Sequence, residues 1–216
     1  MLSILRKARL KDKEMRILML GLDNAGKTTI VKKIMGEDVH TVSPTLGFII
    51  KTIDYDGLAR MPCPPFGFRV ADGGADISST SVGDRPDVDV VQSLTIVGDV
   101  GGQKTLRSYW RNYFEKTDAL IWVVDATDRL RIEDCRQELH GLLQEERLSG
   151  ASLLVFANKT DVNGCMDEQE ILQGLQLESI RTHGWHILRC SAMTGINLKE
   201  GLAWVVEDAK KRLFLY

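Results

Sequence analysis

Residues 21–28 read GLDNAGKT, between the apolar run MRILML at 15–20 and the segment TIVKKIMG at 29–36. The octapeptide fits G-x-x-x-x-G-K-[ST], a turn between strand and helix that wraps phosphate oxygens in backbone N–H groups. Gly21 and Gly26 supply the backbone freedom, and Asp23, Asn24, Ala25 and Gly26 turn their amides toward the α- and β-phosphates. Lys27 reaches the β/γ oxygens, and the Thr28 hydroxyl can ligate Mg²⁺. Thr29 continues a helix whose positive end faces the anion. With glycine at about 7% of residues, a chance match in a chain this long is on the order of one per cent. An ordinary strand–helix turn is the poorer explanation.

Strand and helix signals alternate outward from this loop. GFIIKTIDYDG at 47–57 alternates into a turn, LTIV at 94–97 is short and β-rich, and ALIWVVD at 119–125 is a buried strand. A helix over RIEDCRQELHGLLQEE (131–146) leads to the strand ASLLVFANK (151–159). The helix DEQEILQGLQ (167–176), weakened by Gly174, leads to the strand WHILRCSA (185–192). The closing helix is LKEGLAWVVEDAKKRLF, 198–214. This alternation predicts an α/β fold, a mostly parallel sheet with helices on both faces.

A phosphate loop does not name the base. NKTD at 158–161 follows the strand SLLVFA and supplies the choice. The Asp161 carboxylate can accept two N–H donors from guanine, at N1 and the exocyclic amine, which adenine lacks there. Asn158 and Lys159 brace the loop and cover the ring, while Ser191 and Ala192, in CSA at 190–192, bring a backbone N–H toward the base oxygen. In the stretch SLTIVGDVGGQK (93–104), Asp99 can hold Mg²⁺ through a water, and the Gly102 N–H can meet the γ-phosphate. Gln103 is the candidate catalytic residue, orienting an attacking water. Thr45, in SPTLGF at 43–48, offers a second hydroxyl to the metal.

Bulk properties set limits. With 216 residues, 44% of them hydrophobic, the chain can bury one substantial core. A formal net charge of −2 gives no electrostatic footprint for nucleic acid. Cysteines 63, 135, 165 and 190 lack paired spacing, which reads as reduced thiols of a cytosolic protein. No apolar run reaches the ~18 residues that span a bilayer. LSILRKARLKDK at 2–13 places Leu2, Leu5 and Ala8 near one helical face among five basic residues. Leu2 excludes N-myristoylation, so membrane contact is at most weak. The two histidines of HGWH (183–186) find no second pair of metal ligands and read as a loop entering a strand.

Together GLDNAGKTT, SPTLGF, DVGGQKTLRSYWRNYF, DALIWVVDATDR and FANKTD resemble the small GTPases of the ADP-ribosylation factor family. The resemblance covers residues 1–57 and 93–216. It implies the P-loop NTPase small G-protein fold, a six-stranded sheet with one antiparallel strand, and GTP or GDP bound with Mg²⁺ at the carboxyl ends of the strands. The expected organisation is an amphipathic helix over 1–14 and a GTP-binding domain over 15–216. The resemblance further implies hydrolysis that is slow until a GTPase-activating protein supplies an arginine. In the same family a sliding hairpin between the two switch regions expels the N-terminal helix when GTP binds. Phe48 and Tyr113 match two of three aromatic effector positions. SPTLGFIIKT, RSYWRNYFEKTD and LLQEERLSGASLLVFANK are similar to one branch of the family. That branch implies effectors such as tubulin-folding cofactor D and carriers of lipidated proteins, hence a cytoplasmic, cytoskeleton-associated monomer active in microtubule biogenesis.

Two departures stand out. Where the family pattern is LTIWDVGGQ, this chain has LTIVGDVGGQ, with Val97-Gly98 in place of the third aromatic. Residues 58–92 hold four of the five prolines and no sustained periodicity. Translated intervening sequence accounts for that segment better than a tolerated, disordered or loosely packed insertion does. An added residue flips every following side chain unless a bulge absorbs it, and Gly98 is the type a bulge uses. Two rival functions stay open: a nucleotide-binding interaction protein whose switch is impaired, and a phosphate-loop kinase, which would prefer ATP and against which NKTD speaks.

Overall fold

The computed structural model describes residues 14–40, 49–54, 93–98, 110–111, 114–115 and 117–214. Six strands, β1 (Glu14–Leu20), β2 (Ile49–Asp54), β3 (Ser93–Gly98), β4 (Ala119–Asp125), β5 (Ser152–Asn158) and β6 (Trp185–Arg189), form one sheet in the order β2-β3-β1-β4-β5-β6. β2 runs antiparallel to β3; β3, β1, β4, β5 and β6 are mutually parallel. The helices are α1 (Lys27–Ile34), α2 (Ile132–Leu143), α3 (Glu168–Leu175) and α4 (Leu198–Phe214).

Strand alternation divides the core in two. Met15, Ile17 and Met19 of β1, with Ile121 and Val123 of β4 and Leu154 and Phe156 of β5, face α1 and α4. Their neighbours Leu18, Leu20, Leu120, Trp122, Val124, Leu153 and Val155 face α2 and α3. A strand covered on both faces is apolar at every position, which is why ALIWVVD and SLLVFA carry no hydrophilic face. Trp122 meets Trp110 edge to face at 6.0 Å and donates its indole N–H toward Cys135 Sγ. Trp185 and Trp204 are half-buried against the two clusters.

Local signals locate the helix ends. Asp167 and Glu170 exchange bonds in a capping box that starts α3. Gly36, at φ 71°, follows α1. Gly174 lowers helix propensity, but a Cβ there would stand 2.7 Å from Ile132 Cγ1, so its absence lets α3 approach α2. In the last turns of α4, Lys211 pairs with Glu207 and Arg212 with Asp208, whose carboxylate also accepts from Ser152 of β5.

Within its described residues β3 carries no bulge. Gly98 pairs with Met19 on one side and Ile49 on the other, and both ladders run unbroken from Ser93. The extra residue is therefore not absorbed within β3. The expected helix over 1–14 and the segment 58–92 lie outside the described residues. Among the described residues no helix is long and apolar enough to cross a membrane.

Candidate functional site

The chain leaves β1 on one side of the sheet and returns through β4 on the other. That reversal opens a crevice at the carboxyl ends of the parallel strands, where such sheets bind ligands. Three loops converge there: 21–26 after β1, 158–161 at the end of β5, and 190–192 after β6.

The first loop is shaped by positive φ angles at Gly21 (149°), Asn24 (61°) and Gly26 (93°). A Cβ on Gly21 would lie 2.2 Å from the Val123 carbonyl oxygen, and one on Gly26 would lie 2.3 Å from Asn158 Nδ2. Both positions exclude any side chain. Gly26 then caps α1, so Lys27, Thr28 and Thr29 form its first turn. Lys27 is 4% exposed, and its ammonium donates to the carbonyls of Gly21 (3.0 Å) and Leu22 (2.8 Å). A buried cation closing a glycine-rich turn makes a ready anion cradle.

The base loop is fastened to this cradle. Asn158, 1% exposed, donates its amide to the Ala25 carbonyl at 2.8 Å and accepts the Ala192 N–H at 2.9 Å. One side chain thus joins all three loops. The Ala192 amide, expected to meet a base oxygen, is engaged with Asn158 in this structure. Ser191 donates to one oxygen of Asp161 at 2.6 Å, fixing that carboxylate at the surface. Its remaining lone pairs suit two adjacent N–H donors. Removing the Asn158 side chain leaves the Ala25 carbonyl and Ala192 amide without this partner. Asn158→Ala is expected to cost about 2–4 kcal/mol of stability, read as a lower midpoint in chemical denaturation.

Several features are legible only in three dimensions. Arg131 stands at the entry to α2, pairs with Asp128 at 2.6 Å, and reaches the Asp23 carboxylate at 3.2 Å and its carbonyl at 3.3 Å. Asp125, at the end of β4, pairs with Lys159 at 2.6 Å, so the lysine expected over the base is anchored from behind. Burial raises the Asp125 carboxyl pKa, but bonds from Lys159 and Thr127 outweigh it and hold the group below the usual carboxylate range. The pair's contribution is therefore complete above the ordinary value and is lost as pH falls through the depressed one. Asp125 and Arg131 both stand in DATDRLR at 125–131, but nothing in that string says what they touch.

The other candidates resolve simply. Cys190 is buried beside Asn158, and burial pushes its thiol pKa up, keeping it protonated. His183 binds the Leu148 carbonyl (3.0 Å) and the Thr182 hydroxyl, while His186 stacks on Trp204. Among the described residues no cluster of three metal-ligating side chains forms. Thr45, Asp99, Gly102 and Gln103, with Phe48 and Tyr113, lie outside the described residues. Of the Mg²⁺ donors only Thr28 is in view: a hydroxyl next to Lys27, of the hard oxygen chemistry that the ion requires.

Known proteins share this organisation. The model of the ADP-ribosylation factor family matches residues 1–61 and 86–209 and skips the stretch between them. ADP-ribosylation factor-like protein 2 of Dictyostelium discoideum is 48% identical over 215 residues, covering 100% of this chain and 98% of its own length. The Arabidopsis thaliana protein of the same name is 48% identical over 217 residues, covering 100% of this chain and 98% of its own. Among solved structures, the Arl6 BBS3 small GTPase of Trypanosoma brucei with the bound nucleotide analogue GppNp superposes with a TM-score of 0.68 at 26% identity. That match covers 92% of this chain and 99% of the other.

Proposed function

The chain belongs to the ADP-ribosylation factor family, and from that premise we propose that this GTP-binding switch serves tubulin folding and microtubule biogenesis in the cytoplasm. The observation that carries the nucleotide chemistry is Asn158, which ties phosphate loop, base loop and the 190–192 turn into one frame. Lys27 and Thr28 hold phosphate and metal; Thr45 and Gly102 sense the γ-phosphate; Asn158, Lys159, Asp161, Ser191 and Ala192 form the base side. Mg²⁺, held by Thr28 and Thr45 and through a water by Asp99, would neutralise charge on the β- and γ-phosphates. Gln103 orients the attacking water, and intrinsic hydrolysis is slow until an activating protein completes the site.

Similarity to ADP-ribosylation factor-like protein 2 from several organisms supports the cellular assignment. Its test is capture of tubulin-folding cofactor D, or of a carrier of lipidated proteins, by protein loaded with GDP or with a non-hydrolysable GTP analogue. A switch must bind the two forms differently, and equal capture would refute it. Gln103→Leu is expected to abolish stimulated hydrolysis while leaving GTP affinity within about twofold; undiminished turnover would remove Gln103 from the mechanism.

A second reading, an interaction protein with an impaired switch, is favoured by one observation. β3 pairs without a bulge through Gly98. The chain carries one residue more than LTIWDVGGQ at this point, and a one-residue slip along a strand exchanges the faces its side chains occupy. Replacing Val97 by Trp and deleting Gly98 separates the two readings. Restored discrimination between GDP and GTP forms supports impairment in the present chain, and unchanged discrimination opposes it.

A further inference from the structure

Asp125 belongs to none of the three loops, yet its carboxylate faces the one that selects the base. Its side chain is 8% exposed. It accepts the Lys159 ammonium at 2.6 Å, the Thr127 hydroxyl at 2.6 Å and the Thr127 N–H at 2.9 Å. The strand end is aligned for this contact, since Asp125 is the register partner of Asn158 and the Ala126 N–H binds the Asn158 carbonyl at 2.9 Å. Lys159 itself has left-handed backbone, φ 68°. Such a conformation persists in a non-glycine residue only where the surroundings hold it. A lysine side chain is a flexible stem with a compact charge, and without a fixed partner it would sample many rotamers beside the base.

We propose that Asp125 is a positioning residue for guanine-nucleotide retention, acting by fixing the Lys159 ammonium so that the lysine stem forms a standing wall of the base pocket. This rests on the GTP-binding reading of the site. The competing role is purely local: with Thr127, the carboxylate closes a turn at the end of β4 and would do so whatever Lys159 did. The two roles differ in one measurable way. An effect transmitted through Lys159 disappears when Lys159 is gone, whereas a turn-closing effect does not.

The experiment loads the full chain with fluorescent GDP and follows its release into excess unlabelled GDP. It compares the parent, Asp125→Asn, Lys159→Met and the double variant. Asparagine keeps the size and the acceptor for Thr127 and removes the charge that holds Lys159. Asp125→Asn is expected to speed release about 10-fold or more, Lys159→Met comparably. The double variant should stay within about twofold of Lys159→Met alone. Equal acceleration by Asp125→Asn in both backgrounds, or none in the parent background, overturns the proposal. Should Asp125→Asn not fold, Asp125→Glu replaces it in the same cycle with the same criterion, because the longer carboxylate displaces the ammonium while preserving the charge. A parent chain that never retains the fluorescent nucleotide overturns the GTP-binding reading as well. A parent that retains it while the cycle shows no coupling overturns only the role of Asp125.

Discussion

Replacing Lys27 with alanine is expected to weaken GDP and GTP binding by about two to four orders of magnitude, measured by titration of fluorescent nucleotide. The ammonium is buried and already aimed into the turn through the Gly21 and Leu22 carbonyls. A phosphate arriving there meets a desolvated cation, and removing one partner of such a pair costs roughly 3–5 kcal/mol. The same substitution deprives two carbonyls of a donor in the nucleotide-free protein, so some loss of thermal stability accompanies it. The two effects separate by measuring melting without nucleotide. Unchanged affinity would dismiss the phosphate-loop assignment.

The second large effect is at Asp161. Asp161→Asn is expected to lower affinity for guanosine nucleotides by about 10²–10⁴-fold, because two charge-assisted hydrogen bonds are each worth roughly 1.5–3 kcal/mol. Asparagine presents a donor where guanine also presents one, its exocyclic amine. Xanthine carries a carbonyl oxygen at that position and retains the N1 hydrogen, so the variant should bind xanthosine diphosphate more tightly than GDP. Competition of both nucleotides against a fluorescent analogue reads the inversion directly. The Ser191 hydroxyl can serve either side chain, so its bond to residue 161 does not by itself predict misfolding. A variant that still prefers GDP would place the base elsewhere.

The central strands are legible in the sequence because burial on both faces imposes unbroken apolar runs, as in ALIWVVD and SLLVFAN. Helix ends were legible where capping chemistry is local, as at Asp167 and Gly36. Gly98 shows the limit of residue type: glycine permits a bulge, but the neighbouring strands decide whether a ladder continues, and both pair with Gly98. The expected role of the Ala192 amide met a similar competitor, an asparagine from the neighbouring strand end.

The chemistry of each loop is contained in its own residues. GLDNAGKT and NKTD act through contiguous residues whose backbone conformations and functional groups are local properties. Only the tertiary structure decided how those loops are held. Asn158 bonds Ala25 across 133 residues, Asp125 anchors Lys159, and Arg131 reaches Asp23. These pairs obey no periodicity and carry no spacing rule. They meet because parallel pairing in the order β1-β4-β5-β6 brings strand ends far apart in the chain to one edge of the sheet.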